Sequence, residues 1–188
     1  MIGTYKCLNG MSSVSADGFS LVPIRVEDKY LIMQWRNEQL YHLRQSATLT
    51  KTDQDLYFET VVNKMFREDK PAQLLFSYLD CNQVCIGYGG LVHINWDDKN
   101  AELSFIMATA LEKKLFEFHW STYLSLIRRV AFKAMRFHKI YTYAFDLRPH
   151  LYVALEKNGF TREAVLLEHC LHNEKYRDVI IHSLINTE

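Results

Sequence analysis

The sequence lacks an excess of charge of either sign, and it lacks any long hydrophobic run. Across 188 residues, 22 Lys and Arg are balanced by 22 Asp and Glu. A chain without net positive charge has no general attraction for a phosphate backbone, so nucleic acid is not an expected partner. No stretch approaches the roughly 18 consecutive apolar residues that a membrane-spanning helix needs, so no membrane span is expected.

Cysteine and proline are scarce as well. The four cysteines lack the CxxC spacing of zinc and redox sites, because Cys81 and Cys85 are separated by three residues. Reduced thiols in a cytoplasmic protein are therefore expected. The three prolines, Pro23, Pro71 and Pro149, stand where an element should begin or a turn should form.

The composition is that of one globular domain. Hydrophobic residues make up 48% of the chain, and 11 Phe and 11 Tyr supply bulk for a core. Residues 1–18 are rich in Ser, Gly and Asn and contain no apolar signal-peptide core, so we expect a flexible N-terminal segment there. No repeat or linker follows, which predicts a single domain over residues 19–188.

Hydrophobic periodicity predicts the elements of this domain. Strands are predicted over residues 19–25, 73–79, 84–94, 101–107, 139–146, 164–171 and 176–185. Helices are predicted from Asp28, from the capping box Thr50 to Asp53, over 119–137, and from Pro149 to the cap signal Asn158-Gly159. Residues 108–118 are expected to be irregular. The order combines antiparallel hairpins with one β-α-β crossover, which indicates an α+β mixed sheet with helices on both faces.

This order of elements and several local strings resemble the GNAT superfamily of N-acetyltransferases. Residues 145–160 (FDLRPHLYVALEKNGF) are similar to its strand, helix and EK-x-GF ending. Residues 163–169 and 173–179 look like the final hairpin of the ribosomal-protein N-acetyltransferase branch. The string Trp35-Arg36-Asn37, with Leu43-Arg44-Gln45 after it, resembles sugar-nucleotide amine N-acetyltransferases. The resemblance implies a GNAT-like fold, acetyl-CoA as acyl donor, and a primary amine as acceptor.

The chain also departs from the pattern of that superfamily. Bulky Phe118 and Trp120 stand where its cofactor loop has small residues. Arg148 replaces the Asn that follows its fifth strand, and Leu155 replaces the tyrosine that serves as general acid. These departures keep open a GNAT-fold module that binds a partner or a nucleotide without catalysis.

The resemblance places the cofactor at the start of the long helix, where free N–H groups and the helix dipole suit a diphosphate. Gly87, Gly89 and Gly90 permit close backbone approach in one strand, and the next strand is expected to offer its edge to the pantetheine arm. The expected cofactor-binding residues are Phe105, Ile106, Met107, Lys113, Lys114, Phe118, His119, Trp120, Ser121, Asp146 and Arg148. For Trp120 a plain core position is the alternative.

Three residues are the first candidates for moving protons, and His150 and Asp146, at the junction of a strand and the next helix, are further candidates for the acid. Glu102 begins a strand, where its carboxylate is placed to accept the proton of the amine, and His93 is the rival base. For both, an ordinary exposed or hydrogen-bonded position in the sheet is the alternative. Tyr152 lies one helical turn before Leu155 and is the candidate acid, with a packing aromatic as the alternative.

The acceptor is expected to bind through an aromatic ring that stacks on a sugar or base and a guanidinium that holds phosphate. The expected acceptor-binding residues are Trp35, Arg36, Asn37 and Gln45. No metal is expected, because His169 and His172 point to opposite faces of a strand. The first hypothesis is a cytoplasmic, monomeric or homodimeric N-acetyltransferase that acts on an amino-sugar nucleotide. A protein N-terminal acetyltransferase is the second.

Overall fold

The computed structural model describes residues 3–187, so Met1 and Ile2 of the expected N-terminal segment and Glu188 at the expected domain end lie outside the described residues. One sheet of eight strands forms its centre, in the spatial order β1-β2-β3-β4-β5-β6-β8-β7. The strands are β1 (Val14–Ala16), β2 (Phe19–Pro23), β3 (Leu74–Leu79), β4 (Cys85–Asn95), β5 (Asn100–Met107), β6 (Lys139–Phe145), β7 (Thr161–His172) and β8 (Lys175–Ile185).

Six α-helices connect and cover these strands. They are α1 (Lys29–Glu38), α2 (Lys51–Tyr57), α3 (Asn63–Met65), α4 (Thr109–Glu112), α5 (Phe116–Arg128) and α6 (Pro149–Lys157). A π-helical turn, Phe58–Val62, joins α2 to α3, and another, Arg129–Ala134, extends α5. Short 3-10 turns lie at Lys6–Leu8, Val26–Asp28 and Leu40–His42. The expected α+β fold with a mostly antiparallel sheet is confirmed.

The beginning of the chain corrects the sequence prediction. Residues 3–18 were expected to be flexible, but β1 pairs with β2, and Tyr5 is only 1% exposed. The Tyr5 hydroxyl donates to the carbonyl oxygen of Leu75 at 2.5 Å, and its ring stacks on Phe66. Three apolar residues, Tyr5, Leu8 and Val14, are buried in the core, and the polar residues between them hid this signal.

The segment expected to be irregular is the second correction. Residues 109–112 form α4, and α5 begins at Phe116, three residues before the predicted start. The backbone N–H of Leu115 donates to Leu111 at 2.8 Å, so a helical turn directly precedes α5, and Phe118 and Trp120 lie within α5 itself. The capping box of Thr50 and Asp53 is confirmed, as is the left-handed residue Gly159, whose φ is +85°.

The glycines of β4 allow its neighbours to approach closely. A Cβ on Gly90 would lie 1.8 Å from the carbonyl oxygen of Leu74, and one on Gly89 would lie 2.1 Å from that of Ser104. Only glycine permits both contacts, because real Cβ atoms do not approach backbone oxygens to such distances. The expectation of close backbone approach at these positions is confirmed.

A single parallel pair interrupts the antiparallel sheet. Strands β5 and β6 pair at three positions, Asn100 with Lys139, Ala101 with Ile140, and Glu102 with Tyr141. Beyond Glu102 the two strands diverge, while each keeps its other neighbour in the sheet. The fold therefore opens at its centre. No helix within residues 3–187 is both long and apolar enough to cross a membrane.

Candidate active site

The divergence of β5 and β6 opens a cleft of about 200 Å³. Residues 102–106 of β5 form one wall and residues 142–145 of β6 form the other. The remaining lining residues are Arg36, His42, Leu43, Arg44, Trp120, Arg148 and Leu151. Because β5 has no strand partner on this side beyond Glu102, its edge faces the cleft.

Aromatic side chains form the floor of the cleft. Trp120 lies edge to face against Phe105 with ring centroids 5.1 Å apart, and Phe105 stacks on Tyr123 at 3.9 Å. Trp120 thus lines the cleft and also packs in the core, so both of its sequence-based interpretations describe part of its position. Ile106 lines the cleft too, whereas the carbonyl oxygen of Met107 accepts a hydrogen bond from the Gln39 amide at 2.8 Å.

Three residues expected at the cofactor lie on other faces of α5. His119 is buried next to Tyr78, 3.2 Å from its hydroxyl, and Phe118 is 52% exposed. Ser121 accepts a hydrogen bond from the Asn158 amide, which ties α5 to α6. Since successive helical residues turn by about 100°, only Trp120 of this run faces the cleft. The structure therefore corrects the expectation that all four lie together.

A second cavity of about 570 Å³ lies outside the open end of the cleft. It is lined by Glu38, Gln39, Tyr41, Thr109, Glu112, Lys113, Phe116 and His150. Lys113 reaches this outer cavity, whereas Lys114 is exposed and does not line it. The first turn of α5 begins next to it, and the N-cap residue Leu115 makes no capping bond through its side chain.

Between the two cavities lies a buried group of charged and polar side chains. Arg148 Nη1 lies 3.1 Å from Glu112 Oε1 and 3.2 Å from His42 Nε2. The Tyr41 hydroxyl also donates to Glu112, at 3.1 Å. Burial and the positive charge of Arg148 lower the pKa of His42 to about 3, which keeps its imidazole neutral. Burial lowers the pKa of Arg148 as well.

The candidate bases lie together. The carboxylate of Glu102 lines the cleft and is 6% exposed, and it accepts a hydrogen bond from the Arg44 guanidinium. Its second oxygen is 2.8 Å from His93 Nδ1. His93 is 61% exposed and stands outside the cleft at the bulge where β4 leaves its register with β5. Of the two rivals, only Glu102 lines the cleft.

The candidate acid is turned away from the cleft. The Tyr152 hydroxyl donates to Asp146 at 2.9 Å, and its ring stacks on His182. Burial and the neighbouring carboxylate raise the pKa of Tyr152. Asp146, which was expected at the cofactor, serves as this acceptor and does not line the cleft. The sequence analysis missed Thr142, which also lines the cleft; its Oγ1 is buried and has no partner within residues 3–187.

A pocket of about 340 Å³ lies on the α1 and α2 side of the sheet. It is lined by Ile24, Ile32, Arg36, Leu49, Asp53, Gln54, Tyr57, Phe58, Gln73, Leu75, Tyr88, Val92 and Ser104. Arg36 and Ser104 line both this pocket and the cleft, so the two spaces meet at these residues. Its size falls within the usual range for small-molecule sites.

Neutral side chains hold Arg36 in this shared wall. Its Nε donates to Gln45 Oε1 at 2.8 Å and its Nη1 to the Tyr88 hydroxyl at 2.7 Å. Asn37 fixes the following loop through two bonds to the Leu49 backbone, at 2.8 and 2.9 Å. Gln45 and Asn37 therefore position Arg36 and its loop.

Trp35 corrects the expectation for the acceptor site. It points to the other side of α1, where it lines a shallow cavity with Thr109, and it does not line the 340 Å³ pocket. Tyr88 and Ser104 line that pocket, although the sequence analysis did not predict a role for either. The sequence Gly87-Tyr88-Gly89 could have indicated the role of Tyr88, because side chains of a strand alternate between its two faces and Tyr88 is the one side chain between two glycines.

A family model described as an acetyltransferase (GNAT) domain matches residues 21–181. The chain belongs to the GNAT acetyltransferases. It is an N-acetyltransferase, and its acyl donor is acetyl-CoA. A spermidine N(1)-acetyltransferase of Vibrio cholerae is 28% identical over 121 residues, which are 64% of this chain and 67% of that protein.

Solved structures share the fold. The spermidine N-acetyltransferase of Vibrio cholerae in complex with CoA and spermine is 20% identical, with a TM-score of 0.76 over 89% of this chain and 95% of that chain. A dodecameric structure of spermidine N-acetyltransferase from the same organism is 23% identical, with a TM-score of 0.70 over 89% of this chain and 94% of that chain. These identities support the fold of this enzyme and leave its acceptor open.

The residues of the cleft fit the acyl donor. The edge of β5 offers backbone groups without a strand partner, and the buried Thr142 hydroxyl lacks a partner within the described chain. Outside, Lys113 and the uncapped first turn of α5 offer positive charge and free N–H groups. When bound, acetyl-CoA supplies an activated thioester, so the protein has to position the two reactants and handle one proton.

Proposed function

We propose that this enzyme acetylates a primary amine on a small molecule that also carries an anionic group. A nucleotide-linked amino sugar is the member of this class suggested by the resemblance of the string Trp35-Arg36-Asn37, of which Arg36 alone lines the 340 Å³ pocket. Arg36 carries the proposal: it lines both spaces, and within residues 3–187 it pairs with no carboxylate, because its partners are the neutral Gln45 and Tyr88. A guanidinium presented in this way favours a phosphate or carboxylate and disfavours a polycation.

The two cavities support a placement of the donor. The β5 edge at residues 103–106 and the Thr142 hydroxyl would hold the pantetheine arm in the cleft. Lys113 and Arg148 would hold the diphosphate at the outer end. The reactive end would then face Ser104 and Arg36, where the cleft meets the 340 Å³ pocket, which we call the acceptor pocket. We also propose a single acyltransferase domain, to which the N-terminal residues that pack on the core belong.

Glu102 acts as the base in this proposal, directly or through one water molecule. It is the carboxylate that lines the cleft wall of β5, close to the junction with the acceptor pocket. His93 lies 2.8 Å behind it and is exposed, so it positions the carboxylate and offers the proton a path to solvent. Arg44 holds the other carboxylate oxygen and lies over the Tyr143 ring.

Thr142 takes the role of hydrogen-bond donor to the departing sulfur. Leu155 has no proton to give, and the Tyr152 hydroxyl is directed to Asp146. A hydroxyl that is buried without a partner is costly in the free protein, and a sulfur acceptor in the cleft would satisfy it.

A polyamine is the second candidate acceptor. Two observations favour it: relatives from Vibrio cholerae are spermidine acetyltransferases, and Asp53 places a carboxylate in the acceptor pocket. Hydrogen bonds from Thr50 lower the pKa of Asp53, so it stays ionised and can bind an ammonium group.

An acceptor panel tests the proposal. Release of free CoA thiol would be measured with amino-sugar nucleotides, amino acids and other anionic amines, spermidine, spermine, and N-terminal peptides. Turnover with an anionic amine supports the proposal. Turnover confined to spermidine and spermine would replace it with the second candidate, and turnover confined to peptides would assign the enzyme to protein N-termini.

A further inference from the structure

The open end of the cleft is bridged by side chains from both of its walls. Helix α4 follows β5, and Arg148 follows β6 at the start of α6. The contact of Arg148 with Glu112 at 3.1 Å therefore connects the ends of the two diverging strands. These are the ends that lie farthest from the three positions at which β5 pairs with β6. Phe116 and His150 add an edge-to-face contact with centroids 4.3 Å apart. We call Glu112, Arg148 and His42 the clasp.

The clasp separates the two cavities. Arg148 and His42 line the inner cleft, whereas Glu112, Phe116 and His150 line the outer cavity. The inner cleft of about 200 Å³ holds an arm but not a nucleotide, so a whole acetyl-CoA has to occupy both spaces. Its diphosphate would then lie at the clasp, where Glu112 places a negative charge.

The Glu112 carboxylate imitates a phosphate in this position. It accepts from Arg148 and from the Tyr41 hydroxyl, and the two charged side chains are only 10% and 11% exposed. A buried guanidinium strongly requires an anionic partner. A diphosphate oxygen satisfies the same geometry with more negative charge. A diphosphate at Arg148 would repel the Glu112 carboxylate, and this repulsion favours the departure of Glu112.

Helix α4 is a short and weakly held element. It has four residues and no side-chain cap, and two of its backbone bonds run to the single carbonyl oxygen of Ala108. Local opening of so short an element is inexpensive compared with opening a strand or a long helix. Arg148, by contrast, stands where a buried strand meets α6.

We propose that Glu112 occupies the phosphate site of the free enzyme and that acetyl-CoA binds by taking Arg148 from it, with α4 moving outward. Glu112 thereby weakens cofactor binding, and it keeps Arg148 paired and the cleft closed until the cofactor arrives. The inference rests on the cofactor placement of the proposed function but not on the identity of the acceptor.

Isothermal titration calorimetry of the full chain tests this exchange without any acceptor. Glu112→Gln removes the charge and keeps the shape of the side chain, so CoA is expected to bind roughly tenfold tighter or more. Pantetheine, which lacks phosphates, is expected to gain less than about twofold. The melting temperature of the free variant should fall, because Arg148 loses its anionic partner, and CoA should raise it by more than it raises that of the wild type.

Glu163→Gln is the matched control, because it breaks another ion pair, with Lys139 at 2.6 Å, at the opposite end of β6 from Arg148. It should leave both affinities unchanged. Equal gains for CoA and pantetheine in Glu112→Gln, or no gain for CoA, would overturn the exchange. Absence of CoA binding to the wild type would overturn the cofactor placement and the clasp with it. If Glu112→Gln melts below the assay temperature, Glu112→Asp, which keeps the charge but draws the carboxylate back from Arg148, should give a smaller gain in the same direction, for CoA and not for pantetheine.

Discussion

Arg36 donates to the Tyr88 hydroxyl across 2.7 Å and thereby ties α1 to the glycine-rich strand β4. The bond holds a positive charge in the wall shared by the cleft and the 340 Å³ pocket, in which we propose that the cofactor and the acceptor bind. Tyr88 is itself buried between Gly87 and Gly89, whose close contacts with neighbouring strands fix the backbone there. The position of the guanidinium is therefore set before any acceptor binds.

Replacing Arg36 by Ala tests what this charge recognises. We expect the KM of an anionic acceptor to rise roughly 10- to 150-fold, which corresponds to about 1.5–3 kcal/mol for hydrogen bonds to a charged group. The Kd for CoA should change little. Tyr88→Phe, which leaves the charge but frees its position, should have a smaller effect of about 0.5–1.5 kcal/mol. A KM that falls in Arg36→Ala would mean that the acceptor is cationic. Steady-state kinetics with the best panel substrate provide the measurement.

Two variants, each with a glutamine in place of the candidate base, separate the roles of Glu102 and His93. Glu102→Gln should lower kcat by roughly 10²–10⁴-fold and leave the Kd for CoA nearly unchanged, because a base acts on the amine. His93→Gln should lower kcat only a few-fold, since His93 positions the carboxylate from outside the cleft. The measurement is kcat/KM from pH 5.5 to 9.5. If both variants keep the wild-type profile, positioning alone carries the reaction.

Thr142 is tested by a change of nearly the same shape. Thr142→Val removes the unpartnered hydroxyl, so the free energy of unfolding should stay constant or rise. At the same time kcat should fall by an order of magnitude or more if the hydroxyl stabilises the departing sulfur. Tyr152→Phe is the comparison and should retain kcat within about twofold. Loss of activity in Tyr152→Phe with full activity in Thr142→Val would return the acid role to Tyr152.

His42 makes the stability of the fold depend on pH. Its folded pKa of about 3 lies below the unfolded value near 6.5, so the unfolded chain binds the proton first. The contribution of neutral His42 to the free energy of unfolding is complete above pH 6.5. It declines as the pH falls toward 3, by up to about 1.4 kcal/mol per pH unit. The groups that face it are Arg148, His150 and Glu112. Urea unfolding at pH 7.5 and 5.0 should show a smaller difference for His42→Gln than for wild type. His138→Gln, at an exposed site, should not change the difference.

Gly89 links the fold to the site. A Cβ there would lie 2.1 Å from the Ser104 carbonyl oxygen and 2.7 Å from the Tyr123 hydroxyl. Gly89→Ala should therefore destabilise the fold by about 1–3 kcal/mol and also weaken CoA binding, because β5 must shift. Gly159→Ala is the control: its φ of +85° costs about 1–2 kcal/mol, but the nearest atom outside its chain neighbours is 3.7 Å away. It should lower the melting temperature without changing the Kd for CoA. An unchanged Kd in Gly89→Ala would show that β5 tolerates the shift.

Much of the local structure follows from the sequence alone. The capping box at Thr50, the proline that opens α6 and the glycine that ends it are local signals, and each acts over one helical turn. Alternation of apolar residues located β3 to β6 within one or two residues of their observed ends, because side chains of a strand point alternately to its two faces. The same order of elements indicated the α+β fold.

Tertiary structure alone decided which side chains meet. His42, Glu112 and Arg148 form one group although the first and the last are 106 positions apart in the sequence, and no spacing rule reaches so far. Trp35 and Arg36 are adjacent in the sequence, but a rotation of about 100° sends one under α4 and the other into the acceptor pocket. Residues 3–18 fold because Tyr5 finds Leu75 and Phe66 from distant segments. Local sequence patterns determine the backbone conformation of each element, whereas the contacts that build the site arise from the packing of elements distant in sequence.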